Sequence, residues 1–247
     1  MDIQELIDRY STGERDFSFI QALKHFKVPR GQDLSGIILR KCNLHEVDFS
    51  EAILADADLS GITCSHVSFR NANLRSANIS GATFWEETDL SGADLSFANL
   101  RNLTVEDAIF RGAILTSADL SNSYIKVADF RAANLAKVNL RDAWISSSNL
   151  RDADLAGVDL SIMKQWTLNE TAGAKLDGTI MPGSPISKDE LNTTSEILVQ
   201  ICPEDIEIIK KDYLRFGDRL GAIKFLRGQT GWDLPQAKSA IDSVVAQ

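Results

Sequence analysis

The sequence predicts a mainly β protein whose central part is a parallel β-helix with four flat sides. A large apolar residue recurs at every fifth position from Leu34 to Phe84 and, after one extra residue, from Leu90 to Leu160. Of these twenty-six positions, sixteen are Leu and five are Phe, and fourteen have Ala two places before them. The residue directly before is Asp or Asn in sixteen cases, which suits tight turns because these side chains hydrogen-bond nearby backbone.

A period of five fits neither a helix, which repeats every 3.6 residues, nor a flat strand, which repeats every two. A coil with four sides, each one five-residue unit long, points one large and one small residue inward from every side. Stacked coils of this kind place like residues above like residues, about 4.8 Å apart in parallel ladders. The regularity of the period therefore indicates a solenoid with an apolar interior.

The repeats resemble those of the pentapeptide-repeat proteins, whose motif is written A(D/N)LXX. The segments that carry the resemblance are residues 52–60, 93–96 and 153–155. It covers roughly residues 31–182 and implies a right-handed quadrilateral β-helix. Residues 14–18 and 176–182 look like segments common in cyanobacterial members of that family.

An N-terminal helical cap is predicted for residues 1–30. Residues 3–10 place Ile3, Leu6, Ile7 and Tyr10 on one helical side, and Asp2 is suited to the N-cap. A stack of coils ends in open strand edges, which a helix can cover. We also expect a second short helix over about residues 18–27.

The single break in the period lies at residues 85–88, where Phe84 and Leu90 are six residues apart. One interpretation is a β-bulge, which accommodates one extra residue and redirects the chain. The other is a surface recognition feature made of Trp85, Glu86 and Glu87. Two further large residues at positions that are normally turn-like, Tyr124 and Trp144, extend such a patch on this second interpretation.

The period ends near residue 182, and residues 183–195 are predicted to be a linker before an α-helical C-terminal region over 196–247. Residues 222–238 resemble the helix–turn–helix hairpin in the C-terminal domain of the bacterial ribosomal stalk protein. The resemblance implies partner-binding roles for Ile223, Lys224, Arg227 and Lys238. The alternative is that the hairpin is a packing unit. Residues 215–238 contain five basic and two acidic side chains. This net positive segment can bind the acidic solenoid or an acidic partner.

The net charge of −9 is concentrated on residues 31–182, which carry 13 basic and 20 acidic side chains. An acidic surface argues against direct nucleic-acid binding, which requires neutralisation of phosphates. No signal peptide or membrane-spanning run is found, so we expect a cytoplasmic protein. Cys42 and Cys64 point inward in the repeat register and are expected to be buried thiols. The three histidines show no metal-ligand spacing, and no metal or cofactor is expected.

A non-catalytic scaffold that binds an unknown protein partner through the acidic solenoid and the basic hairpin is the function that these features favour. No phosphate-binding loop, nucleophile motif or metal cluster indicates an enzyme. One alternative comes from the family resemblance: some acidic members mimic duplex DNA and protect type II topoisomerases. Another is a purely structural spacer. The sequence leaves open whether the protein is a monomer or a homodimer.

Overall fold

Eight short parallel strands stack in chain order into a single sheet that runs the length of the solenoid. The structure, a computed structural model, describes residues 3–20, 23–167 and 169–181. One helix, α1 (Ile3–Ser11), precedes the strands. The strands are β1 (Leu23–Lys24), β2 (Asn43–His45), β3 (Thr63–Ser65), β4 (Thr83–Trp85), β5 (Thr104–Glu106), β6 (Tyr124–Lys126), β7 (Trp144–Ser146) and β8 (Gln165–Thr167).

The sheet is one of four sides, because the chain leaves each strand, turns three corners and returns one coil later. On the other three sides, successive coils are joined by single parallel bridges. The second side is bridged through residues 48, 68, 89, 109, 129 and 149, the third through 53, 73, 94, 114, 134 and 154, and the fourth through 38, 58, 78, 99, 119 and 139. This arrangement confirms the predicted parallel solenoid.

The interior is filled by the residues of the five-residue period. All twenty-six large residues are buried, and the small residues two places before them line the same core. Aromatic rings stack along the second side: Phe49 lies over Phe69 with centroids 5.4 Å apart, and Phe110 over Phe130 at 4.8 Å. Burial of this apolar surface is the main favourable contribution to folding.

Most corner turns place one residue in the left-handed backbone region, two positions after a buried large residue. Gly61 and Asn102, with φ of 66° and 57°, are of the two types that tolerate this region best, and Asp, Glu, Lys and Ser occupy it in other coils. Val127 is an exception with φ of 55°, because β-branched residues are disfavoured there.

Before β1, Asp16 pairs with Ile38 across 22 residues. Between β1 and β8, three coils contain 21 residues and four contain 20. The register of the sheet shows them, since Leu23 pairs with Leu44, Phe84 with Val105 and Ile145 with Trp166. The predicted break at residues 85–88 is therefore one of three. The other two extra residues lie between positions 28 and 34 and between positions 160 and 166, at the ends of the recognisable period.

The insertion after β4 is not the β-bulge that one interpretation predicted. Glu86 and Glu87 both have positive φ, 39° and 60°, so the extra residue widens the corner turn beyond the strand. Thr88 is then buried, and its hydroxyl donates to the carbonyl oxygen of Trp85 at 2.8 Å. The same carbonyl oxygen also accepts from the Thr88 backbone N–H at 3.2 Å, so the two donors of Thr88 satisfy an acceptor that the wider turn takes away from the coil ladder.

A short N-terminal helix is present as predicted, with Leu6 buried and Tyr10 donating a hydrogen bond to the carbonyl oxygen of Ser35 at 2.8 Å; its role as a cap stays a prediction. The second helix expected over about residues 18–27 is wrong. That segment contributes β1, and just before it the backbone N–H of Phe17 donates to Ile38 at 2.7 Å. The next coil has unpaired backbone N–H and C=O groups at its edge. Pairing with them satisfies the hydrogen-bonding groups of the segment's backbone better than a short isolated helix would.

Cys42 and Cys64 are buried free thiols, as predicted. In the described residues, no helix is long and apolar enough to cross a membrane. The predicted linker over 183–195 and helical region over 196–247 lie outside the described residues.

Candidate interaction surface

Three exposed aromatic side chains lie on the outward side of the sheet. Trp85 in β4, Tyr124 in β6 and Trp144 in β7 are 37%, 42% and 37% exposed. Each flanks an inward-pointing buried residue, and side chains alternate between the two faces of a strand, so all three point outward. Tyr124 and Trp144 lie opposite each other in adjacent strands, with ring centroids 5.6 Å apart. We call Trp85, Tyr124, Trp144 and the neighbouring Val127 the aromatic face.

Val127 is part of this surface and has an unfavourable backbone conformation. It follows β6 at the corner, is 45% exposed and holds its left-handed backbone without glycine or asparagine. A left-handed conformation costs an L-residue roughly 1–2 kcal/mol. Strained residues are concentrated at functional sites, where the surrounding structure maintains them.

An acidic rim borders the aromatic face at the corner between the sheet and the second side. Its members are Glu86, Glu87, Glu106 and Asp107, all exposed. Glu106 pairs with Lys126 at 3.4 Å, and Glu86 accepts a hydrogen bond from Ser65 at 2.8 Å. In the described part of the chain, the carboxylates of Glu87 and Asp107 make no hydrogen bond or ion pair.

The same corner brings together three histidines that the sequence analysis kept apart. The rings of His25 and His45 have centroids 5.7 Å apart, and those of His45 and His66 are 5.9 Å apart. Glu46 lies between the first two, 2.7 Å from His25 Nδ1 and 3.3 Å from His45 Nε2. Their separations of 20 and 21 residues are each within one residue of the coil lengths of 21 and 20, and this approximate match was the signal that could have predicted the cluster. Among the described residues, no three ligating side chains are placed to hold a metal ion.

Basic side chains pair with acidic ones across successive coils. The basic residue directly after a buried large residue contacts the acid that precedes the buried residue one coil later. Pairs of this kind are Arg40 with Asp58, Arg70 with Asp89, Arg75 with Asp94, Arg101 with Asp119 and Arg151 with Glu170. The excess of acid on the solenoid is thus interrupted by guanidinium groups on the second, third and fourth sides.

The structure describes three of the predicted site residues. Trp85 and Glu86 lie side by side at the end of β4, and Glu87 follows in the widened turn. Ile223, Lys224, Arg227 and Lys238 lie outside the described residues.

Comparison with protein families gives one match, to the model described as pentapeptide repeats in eight copies. It covers residues 30–63, 52–84, 88–125 and 128–161, slightly more than half of the chain. No curated protein sequence matches the chain.

Solved structures similar to the chain come from the same group of repeat proteins. One of them is HetL, a pentapeptide repeat protein involved in heterocyst differentiation regulation in the cyanobacterium Nostoc sp. strain PCC 7120. It is 26% identical to this chain, the match covers 78% of this chain and 100% of HetL, and the TM-score is 0.33. A trypsin-treated form of QnrB1, a plasmid-mediated fluoroquinolone resistance protein, is 20% identical, with 69% and 91% covered and a TM-score of 0.30. A second pentapeptide repeat protein of Nostoc PCC 7120 is 30% identical, with 59% and 80% covered and a TM-score of 0.22.

Proposed function

From the premise that the chain belongs to the pentapeptide-repeat family, we propose that it is a non-catalytic scaffold that binds a protein partner through its aromatic face. The observation that carries the proposal is the placement of Trp85, Tyr124 and Trp144 on one side of a continuous sheet. Aromatic residues are enriched among the side chains that contribute most to protein interfaces. The strained, exposed Val127 adds to the same surface.

The chemistry of the rim suggests what kind of partner surface fits. The aromatic face offers apolar area, and the neighbouring Glu87 and Asp107 offer carboxylates that are unpaired in the described part of the chain. We propose that the partner presents an apolar patch bordered by Lys or Arg. Charge complementarity of this kind raises the association rate and selects the orientation of binding.

The solenoid holds this surface in one conformation before a partner arrives. Each aromatic side chain is attached to a strand whose central residue is buried and whose backbone is paired with adjacent coils. A pre-organised surface loses little conformational entropy on binding. We therefore propose a rigid platform, and we take the coil as right-handed, as the family resemblance implies.

Mimicry of duplex DNA is the weaker alternative. A mimic needs a continuous acidic stripe, whereas guanidinium groups on three sides of this solenoid are paired with its carboxylates. We expect purified protein to leave gyrase supercoiling unchanged at micromolar concentration. Inhibition or protection of gyrase in that range would favour mimicry over the scaffold.

The experiment for the aromatic face compares two double variants with equal loss of apolar surface. Tyr124→Ser with Trp144→Ser alters the face, and Phe97→Ser with Ile114→Ser removes exposed apolar side chains from the third side. Proteins captured from cell extract are identified by mass spectrometry, and their binding is then measured with purified components. We expect the first variant to lose at least tenfold in affinity and the second to bind normally. Equal binding by the two variants would disprove the role of the aromatic face.

The C-terminal hairpin remains a second proposed contact. Its basic side chains Lys224 and Arg227 suit an acidic partner surface, and we propose that it acts together with the solenoid in the cytoplasm. Lys224→Glu with Arg227→Glu is expected to abolish capture of a partner in the same pull-down. Unchanged capture would leave the hairpin as a packing unit.

A further inference from the structure

A shallow groove of about 560 Å³ lies on the second side, and arginines dominate its walls. Arg70, Arg111 and Arg131 line it, with Ile109 and Asp129 between them. The groove is separate from the aromatic face, which is on the preceding side of each coil. Three arginines and one carboxylate line the groove, in a chain whose net charge is −9. Arg70 is paired with Asp89 at 2.8 Å and Arg131 with Asp129, so within the described residues Arg111 is the one of the three without an ion pair.

Arg111, like Arg141 among the described residues, departs from the pairing rule stated above. By that rule, its partner is Asp129 one coil later. Asp129 is instead held within its own coil by Arg131, whose Nε donates to Oδ1 at 2.8 Å and whose Nη2 donates to Oδ2 at 2.5 Å. In the described part of the chain, the Arg111 side chain makes no hydrogen bond or ion pair.

The residues around Arg111 keep the groove open. In its own coil, the position that usually carries Asp or Asn is Ile109, which is half-buried and accepts no hydrogen bond with its side chain. Small residues, Gly112 and Ala132, occupy the corner positions that follow Arg111 and Arg131, whereas Asn71 follows Arg70 and Gly92 lies in the coil between Arg70 and Arg111. A Cβ atom added to Gly92 would overlap Asn71 Oδ1, so even alanine does not fit there without displacing a wall of the groove.

We propose that this arginine groove binds an acidic peptide segment through carboxylate or phosphate groups. Guanidinium groups bind both oxyanions in a bidentate, planar geometry. Arg131 lies one coil from Arg111 and donates to Asp129 through Nε and Nη2, which leaves Nη1 to share one anion with Arg111. Arg70, which is paired with Asp89, lies two coils, or about 10 Å, from Arg111. A single phosphate cannot bridge that distance, but two acidic side chains of one peptide can. A long polyanion such as nucleic acid is disfavoured by the acidic remainder of the solenoid.

The test uses the full chain and three probes: a fluorescein-labelled hexaglutamate peptide, the same peptide with one phosphoserine, and inorganic phosphate as competitor. The double variant Arg111→Gln/Arg131→Gln is compared with the double variant Arg75→Gln/Arg101→Gln. Both pairs remove two exposed positive charges, but the second pair lies on the third and fourth sides. Thermal melts confirm that both variants fold.

We expect the groove variant to weaken binding of at least one peptide tenfold or more, while the matched variant changes it less than twofold. The stronger of the two peptides identifies the preferred anion. Equal effects of the two variants, or no saturable binding by the unmodified chain up to millimolar peptide, would overturn the proposal. Competition by inorganic phosphate at the peptide's own concentration would overturn the assignment to a peptide. Tyr124→Ser with Trp144→Ser is expected to leave peptide binding unchanged, so this result is independent of the proposed scaffold surface.

Discussion

The rings of Phe110 and Phe130 stack inside the solenoid with centroids 4.8 Å apart and planes 17° apart. The spacing is that of two adjacent coils, so each ring fills the space directly above its counterpart. Both side chains are 1% exposed. The stack therefore couples one coil to the next through packing as well as through backbone hydrogen bonds.

Replacing Phe130 with alanine is expected to lower the free energy of unfolding by about 3–5 kcal/mol, because a ring-sized cavity remains between coils. The measurement is a urea denaturation curve followed by circular dichroism. Phe97→Ala provides the control, since Phe97 is 54% exposed and packs mainly against Arg75; a loss under about 1 kcal/mol is expected. Similar losses in the two variants would contradict the packing argument.

Val127→Gly is expected to stabilise the fold by about 1 kcal/mol, since glycine relieves the left-handed strain. A rise in the denaturation midpoint tests this. If the aromatic face binds a partner, the same variant also weakens that binding, because an exposed apolar side chain is lost. A variant that is no more stable than the original chain would show that Val127 carries no strain.

Thr88→Val is expected to destabilise the fold by about 1–3 kcal/mol, because the carbonyl oxygen of Trp85 loses the buried hydroxyl that donates to it. Thr88→Ser keeps that hydroxyl and is the matched control. Thermal or urea unfolding of the three proteins measures the difference. The opposite order, with the serine variant less stable than the valine variant, would mean that the methyl group of Thr88 matters more than its hydrogen bond.

The thiols of Cys42 and Cys64 are expected to react slowly with Ellman's reagent in the native protein. Burial raises the pKa of both thiols, against backbone hydrogen bonds in the case of Cys42, and the thiolate is the reactive form. A Cys202→Ser variant isolates these two residues. We expect both to react at once in guanidinium chloride and at least about tenfold more slowly without it. Fast reaction of the native variant would place one thiol within reach of solvent.

Acid is expected to destabilise the solenoid below about pH 4. Hydrogen bonds from Arg131 lower the pKa of Asp129 against the opposing effect of partial burial, and hydrogen bonds from Ser35 lower that of Asp33. Because these pKa values are lower in the folded state, the stabilisation is complete above the unfolded pKa and is lost as the pH falls through the folded pKa. Denaturation midpoints should therefore agree at pH 7 and 5.5 and fall at pH 3. Asp129→Asn should reduce the size of that fall; an unchanged fall would exclude a contribution from Asp129.

Much of the fold could be predicted because the period that runs from Leu34 to Leu160 directly reports which side chains point inward. The first coil escaped prediction because the steps from Phe17 to Leu23 and from Val28 to Leu34 are six residues long, and the apolar pattern of this segment also suits a helix. Hydrophobic periodicity alone does not separate these two cases over so short a segment.

The surface was only partly predictable. The positions of Trp85, Tyr124 and Trp144 follow from the register once the coil lengths are known, and so does the histidine cluster. The arginine groove does not follow from any spacing, because it depends on Arg131 binding Asp129 within one coil while Arg111 is left without that partner. Whether Asp129 binds Arg131 or Arg111 depends on side-chain geometry, which the spacing of residues does not report.

The coils are nearly equal in residue number and stack in register, so the solenoid is built from equivalent units. All seven steps from β1 to β8 pair corresponding residues 20 or 21 apart. The gain or loss of a whole coil therefore changes the length by about 4.8 Å and leaves the remaining columns of side chains aligned. Selection can thus adjust the distance between the two ends of the solenoid separately from the chemistry of its sides. The gain or loss of a few residues, by contrast, rotates every later side chain onto a different side, unless a wider corner such as that at Glu86 and Glu87 absorbs the change.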